Sequence, residues 1–218
     1  MKSIVRAAFL FLAALGLHIG SAAAAEPSEA ALILLATPQL ADPVFGQTVL
    51  LTAPLREGAR IGVILNRPTE LPMHTIFPDH EVLGKIKDPV YFGGPMLPEV
   101  MVVLIRSEAD PGQGAIRVGK GMYLALSAPL IEKTLKESPK TARCYIGSVL
   151  WQAGELDEQI KAGAWSIVQP DSEMIFTRNP ENLWESLQHK AHQLTAGVAL
   201  PAGIAAAEPA RFDVALAR

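Results

Sequence analysis

The chain has 218 residues, 50% of them hydrophobic and 19% charged, with a formal net charge of −3. That balance excludes an intrinsically disordered chain, and the length suits one domain or at most two. With no basic excess and no run of like charges, direct nucleic-acid contact is not expected.

In chain order, MKSIVR carries Lys2 and Arg6, AAFLFLAALGLHIG is apolar, and SAAAAEP offers small residues at Ala22 and Ala24 or Ala23 and Ala25. This is the plan of a secretory signal peptide over residues 1–25. The apolar run falls short of the roughly 20 residues that span a bilayer, so cleavage after the run is expected rather than anchoring. Losing Lys2 and Arg6 makes the remainder more acidic, and no later segment is long and apolar enough to cross a membrane. The expected location is therefore periplasmic or secreted, and cytoplasmic only if the signal is not used.

ALILLA is a short buried run, and ADPVFGQ carries turn chemistry at Asp42 and Pro43. TVLLTA and ARIGVILN are strands joined across REG at 56–58, the best hairpin candidate in the chain. Residues 67–88 are rich in Pro and charge, with room for one short helix near 72–77. DPVYF, EVMVVLIR, AIRV and MYLALS follow as strands. APLIEKTLKE is a short amphipathic helix, with Ser127 as N-cap and Pro139 as a stop. ARCYIGSVLW is a long strand, ELDEQIKAGA a helix, AWSIVQP a strand, and NPENLWESLQHKAHQL a helix with Asn179 as N-cap and Pro180 at its first position. The order predicts an α+β fold: a single compact domain over 26–195, with a mixed, largely antiparallel sheet and flanking helices. Residues 196–218, rich in Ala, Gly and Pro, read as a flexible tail.

The chemistry is sparse. Gly93-Gly94 in YFGGP is followed by Pro95 and a strand, without the Lys, the Ser/Thr or the helix that a phosphate loop needs. The pair reads as a site of positive φ or close backbone approach. Ser148 lacks a nucleophile elbow, and Cys144 is alone in a strand-like run, as a buried structural thiol would be. His189 and His192 share a helix face but lack a third metal ligand, and Glu155, Asp157 and Glu158 suit the dipole of a helix start. Asn66-Arg67-Pro68 ends a buried strand with an amide and a guanidinium. Arg67 would either clamp a carboxylate or phosphate or close a structural hydrogen-bond network.

Five stretches in register, ATPQLADPVFGQTVLL, GVILNRP, YFGGP, GSVLWQAGELDEQIKAGAW and FTRNPENLWESL, resemble the YqgE/AlgH family of bacterial proteins over roughly residues 32–190. The resemblance implies a compact α+β domain and a regulator linked to alginate production, without a defined enzymatic activity. It supplies no catalytic residues. Members usually have Gly-Tyr-Ala/Ser-Gly-Trp where this chain has Gly147-Ser148-Val149-Leu150-Trp151, and members are expected in the cytoplasm. The functional expectation is a non-enzymatic, exported binding domain for an unknown protein or small ligand. Its candidate ligand-binding residues are Asn66, Arg67, Gly93 and Gly94, with no metal and no cofactor. The rival expectations are a cytoplasmic regulator acting through protein partners and a hydrolase-like enzyme using the same residues.

Overall fold

Apolar runs of four to eight residues bounded by turn residues favour strands over helices, and here they pair into one sheet. In the computed structural model, which describes residues 30–168 and 172–197 (side chains at 172 and 191–197 excepted), β1 spans Leu32–Ala36, β2 Val49–Pro54 and β3 Arg60–Ile64. Next come β4 (Pro68–Pro72), the short helix α1 (Met73–Ile76), β5 (Pro89–Phe92) and β6 (Met96–Arg106). They are followed by β7 (Ala115–Gly119), β8 (Met122–Ala125), α2 (Ala128–Glu137) and β9 (Ala142–Trp151). The last elements are α3 (Glu155–Lys161), β10 (Trp165–Val168), α4 (Ser172–Ile175) and α5 (Leu183–Gly197).

Eight strands run in the order β10-β1-β2-β3-β9-β6-β8-β7, each antiparallel to its neighbours. β5 lies parallel to β9 and carries β4 antiparallel on its other side. The fold is thus the expected α+β domain with a mixed, largely antiparallel sheet. The sheet curls into a half-barrel, bringing β7 back toward β2. Leu35, Leu51, Val63, Leu104, Leu124 and Tyr145 are buried on its concave face, which Ile175 of α4 and Leu183 and Leu187 of α5 close. On the convex face, α3 covers β1–β3 through Leu156, beside Trp151 and Trp165. The rest is covered by α1 and α2 through Met73, Leu130, Ile131 and Leu135. Strands buried on both faces read as continuous apolar runs, which is why alternation is weak in this sequence.

Three local readings differ from the structure. Residues 67–88 hold the short helix expected there, but also β4, whose prolines are tolerated because this strand pairs only with β5. β6 starts at Met96, ahead of the EVMVVLIR run that marks it in the sequence. Ser127 and Asn179 stand where N-caps were expected, yet neither side chain makes a capping hydrogen bond, and a 3₁₀ turn at Pro180–Asn182 precedes α5. Because α5 runs to Gly197, the expected domain end at 195 falls within a helix. The signal peptide over 1–25 and the tail beyond 197 lie outside the described residues.

Candidate functional site

The turn between β1 and β2 is built by Asp42. Its Oδ1 accepts the N–H groups of Val44 and Phe45, both at 2.8 Å, while the Gly46 N–H donates to the Asp42 carbonyl at 2.8 Å. This is the local side-chain bonding that lets Asp replace a backbone turn. Only glycine fits at 46, since a Cβ there would lie 2.6 Å from the Asp42 carbonyl oxygen. Gln47 then adopts φ +57° and sends the chain into β2.

Asn66, 2% exposed, locks this turn to the end of β3. Its Oδ1 accepts the Val49 N–H at 2.9 Å and its Nδ2 donates to the Gln47 carbonyl at 2.9 Å. An amide offers one acceptor and a donor side by side, so it can stand in for a strand residue where the ladder stops. Arg67 is half-buried, and its Nη2 donates to the Gly46 carbonyl at 2.9 Å. Of the two roles weighed for Arg67 the structural bond is the one observed, and the side chain also lines a cleft of about 690 Å³. Thr37, Leu40, Asp42, Gln47 and Trp184 complete the walls. Trp184 is held by its indole N–H donating to the Ala36 carbonyl at 2.8 Å, an oxygen it shares with the Gln188 amide at 3.1 Å. The Thr37 hydroxyl is engaged with the Gly163 carbonyl at 2.7 Å.

The chemistry of this lining is one fixed guanidinium, one carboxylate turned to its own loop, and an aromatic wall. A guanidinium so placed can hold a carboxylate or phosphate oxygen through its remaining donors. Among the described residues that line the cleft none is a His, Cys or Lys, so these offer neither an imidazole base nor a thiol or amine nucleophile.

Gly93 and Gly94 lie close by but face elsewhere. The Phe92 N–H donates to the Arg67 carbonyl at 2.9 Å, which ties the two segments together. Beyond it the chain slips between β3 and β9: the Ile64 N–H donates to the Gly93 carbonyl at 2.9 Å, and the Gly93 N–H donates to the Ile146 carbonyl at 2.8 Å. A Cβ on Gly93 would collide with the Gly147 carbonyl, one on Gly94 with the Ser148 carbonyl, and one on Gly147 with the Gly94 carbonyl. Gly147 also has φ +75°, and side-chain alternation along β9 reverses there. Tyr145 and Leu150 belong with the concave core, whereas Cys144, Val149 and Trp151 pack on the convex side. One extra residue in a strand has this effect. The structure therefore brings Arg67 to the cleft, buries Asn66 behind it in the turn, and seats Gly93 and Gly94 in a backbone seam beside it.

The remaining sequence candidates are separate from the cleft. Burial pushes the Cys144 thiol up to about 12, with the Asp88 charge adding to the effect, so it is a poor nucleophile. Ser148 is wholly buried with an unpartnered hydroxyl. His189 is exposed, and the His192 side chain lies outside the described residues. Glu155 accepts the Gln152 N–H at 3.0 Å, and Gln159 Oε1 accepts the indole N–H groups of Trp151 at 3.0 Å and Trp165 at 2.9 Å. No group of three or more His, Cys, Asp or Glu among the described residues is placed to hold a metal ion, and no described helix is long and apolar enough to cross a membrane. Thr37, Leu40, Gln47 and Trp184 are cleft residues that sequence reading missed. For Trp184 the signal is residue type, an aromatic in an amphipathic helix, which gives burial but not the partner.

Residues 33–194, spanning the Arg67 corner and the Gly93 seam alike, match the family model described as AlgH-like, DUF179. The chain belongs to the AlgH-like family. A UPF0301 protein of Burkholderia mallei is 30% identical over 159 residues, covering 70% of this chain and 83% of the relative. One from Paraburkholderia phymatum is 28% identical over 158 residues, with the same 70% and 83% shares. The solution structure of the AlgH protein of Pseudomonas aeruginosa is similar at a TM-score of 0.59 and 26% identity, covering 80% of this chain and 95% of that one. A crystal structure of a Corynebacterium diphtheriae protein shares the fold at a TM-score of 0.60 and 18% identity, with 74% and 86% covered. The AlgH-like half-barrel thus recurs at low identity.

Proposed function

We propose that this AlgH-like chain is a non-enzymatic binding domain of the cell envelope that takes a small anionic ligand in the Arg67 cleft. One observation carries the reading. Arg67 is held half-buried by the Gly46 carbonyl at the mouth of a ligand-sized cleft, and it forms no ion pair with any described carboxylate. A cation positioned by the fold and not neutralised by it is suited to an oxyanion from outside. Export is supported by the signal-peptide pattern of residues 1–25.

Thermal-shift assays of the purified protein with acetate, succinate and inorganic phosphate test the binding. A ligand at a hundredfold excess over its Kd should stabilise the fold by about 2.7 kcal/mol, a rise of several degrees. That rise should vanish in Arg67→Gln. Turnover of any of these compounds or of their esters would overturn the non-enzymatic part, and an unchanged response in Arg67→Gln would overturn the site. Intact masses from periplasmic and cytoplasmic fractions test the location: a periplasmic chain beginning at Ala25 or Glu26 is expected. A full-length cytoplasmic chain would favour instead a regulator acting through protein partners.

A further inference from the structure

The parallel pair β5 and β9 is in register at Tyr91–Tyr145 and Phe92–Ile146. Toward their N-termini the two strands part, and a second cleft of about 410 Å³ opens there, far along β9 from the Gly147 seam. Asp88, Pro89 and Tyr91 line one side, Ala142, Arg143 and Cys144 the other, with Lys140 and Arg178 at the lining as well. Arg143 is the most constrained of these cations. Its Nη1 donates to the Ile175 carbonyl at 2.7 Å and its Nη2 to the Thr177 carbonyl at 2.8 Å. Its guanidinium lies 4.7 Å from the Tyr91 ring centre and 5.7 Å from that of Phe176.

Those partners fix the fork but do not neutralise it. Carbonyls and aromatic faces orient a guanidinium, and neither carries a countercharge. Among the described residues Lys140, Arg143 and Arg178 make no ion pair, and Asp88 is the one carboxylate in the lining. Beside Arg143, on the same face of β9, the wholly buried Tyr145 hydroxyl makes no well-formed hydrogen bond and has the Arg143 guanidinium as its polar neighbour. Excess positive charge, a guanidinium held in place and an aromatic wall are the components of an oxyanion site.

We infer that the cleft between the diverging ends of β5 and β9 is a second ligand site, taking the phosphate or carboxylate group of a small molecule on Arg143, Arg178 and Lys140. This assignment is independent of the Arg67 cleft. Arg143 supplies the fixed fork, and the two exposed cations close on the anion from the rim.

Calorimetric titration of the protein with inorganic phosphate and with succinate tests it, using K140Q/R178Q, R143K and R67Q beside the unmodified protein. Lys140 and Arg178 are exposed, so the double variant should fold normally. Saturable binding of at least one anion is expected. The double variant should weaken it by roughly tenfold or more, whereas R67Q leaves this phase intact. Preference for phosphate would mark a phosphoryl ligand and preference for succinate a carboxylate. R143K should also weaken binding, because lysine keeps the charge but not the fork. Absence of binding heat for both anions, or wild-type titration by K140Q/R178Q, would overturn the proposal.

Discussion

The Asn66–Arg67 corner and the Gly93–Gly94 seam are one backbone hydrogen bond apart, yet opposite demands shape them. At the corner, side chains do the work: an amide replaces a ladder pair, a carboxylate makes the turn, and a guanidinium reaches a carbonyl at 2.9 Å. At the seam, the absence of side chains is the requirement, because Gly93, Gly94 and Gly147 bring two backbones into direct contact. The corner leaves an open cleft, while the seam leaves no space for a methyl group. Proximity in a fold therefore does not give residues a shared role. What each touches decides whether it is available to a ligand.

The sharpest way to break this comparison is to add a methyl group at the seam. Gly147→Ala meets both a colliding carbonyl and a φ of +75°, and Gly94→Ala a colliding carbonyl at φ +153°. Each should cost about 3 kcal/mol or more in urea unfolding, enough to unfold a marginal domain. A loss below about 1 kcal/mol would show that the seam is looser than described. At the corner, Asn66→Ala strands the Val49 N–H and the Gln47 carbonyl, and about 2 kcal/mol should be lost. An unchanged unfolding midpoint would mean that water takes over both bonds.

β9 supplies two finer tests of the packed region. With its thiol raised from 9.0 to about 12, Cys144 stays protonated in the folded protein while the unfolded chain ionises. The associated stability is fully present below pH 9.0 and is lost between pH 9.0 and about 12, at about 1.4 kcal/mol per pH unit. Cys144→Ala should flatten that part of the stability–pH curve, and an identical slope in the variant would contradict the assignment. The smallest effect is expected at Tyr145, where burial raises the hydroxyl well above the ordinary phenol range despite the offsetting Arg143 charge. Because the hydroxyl makes no well-formed hydrogen bond and has only the Arg143 guanidinium beside it, Tyr145→Phe should change stability by no more than about 1 kcal/mol in either direction. A loss greater than that would reveal a bound water or other partner.

Much of the fold was legible because its signals are local. TVLLTA and ARIGVILN are apolar runs around a turn, and they pair as the expected hairpin, with Leu50 opposite Ile64. β4 was not legible, because PTELP has two prolines and a charged centre, and only pairing with β5 makes it a strand. The site was half legible. Asn66, Arg67 and the Asp42 turn can be picked out by residue type, but the Gly46 acceptor is 21 positions from Arg67. Trp184 is tied to Ala36 across 148 positions. The glycines announced a close approach without saying against what, since their partner Gly147 lies on another strand and is glycine for the same reason. Contacts of that range come from topology and leave no local pattern to read.

The most direct test of the binding account is a ¹⁵N–¹H NMR titration of the protein with the anion that gives the largest thermal shift. Binding in the Arg67 cleft predicts saturable shifts at the Gly46 and Gln47 amides, the Arg67 Nε–H and the Trp184 indole N–H, with the Gly93 and Gly94 amides changing less, and all of these lost in Arg67→Gln. Shifts centred on Gly93, Gly94 and Gly147, or a response that Arg67→Gln leaves intact, would contradict it.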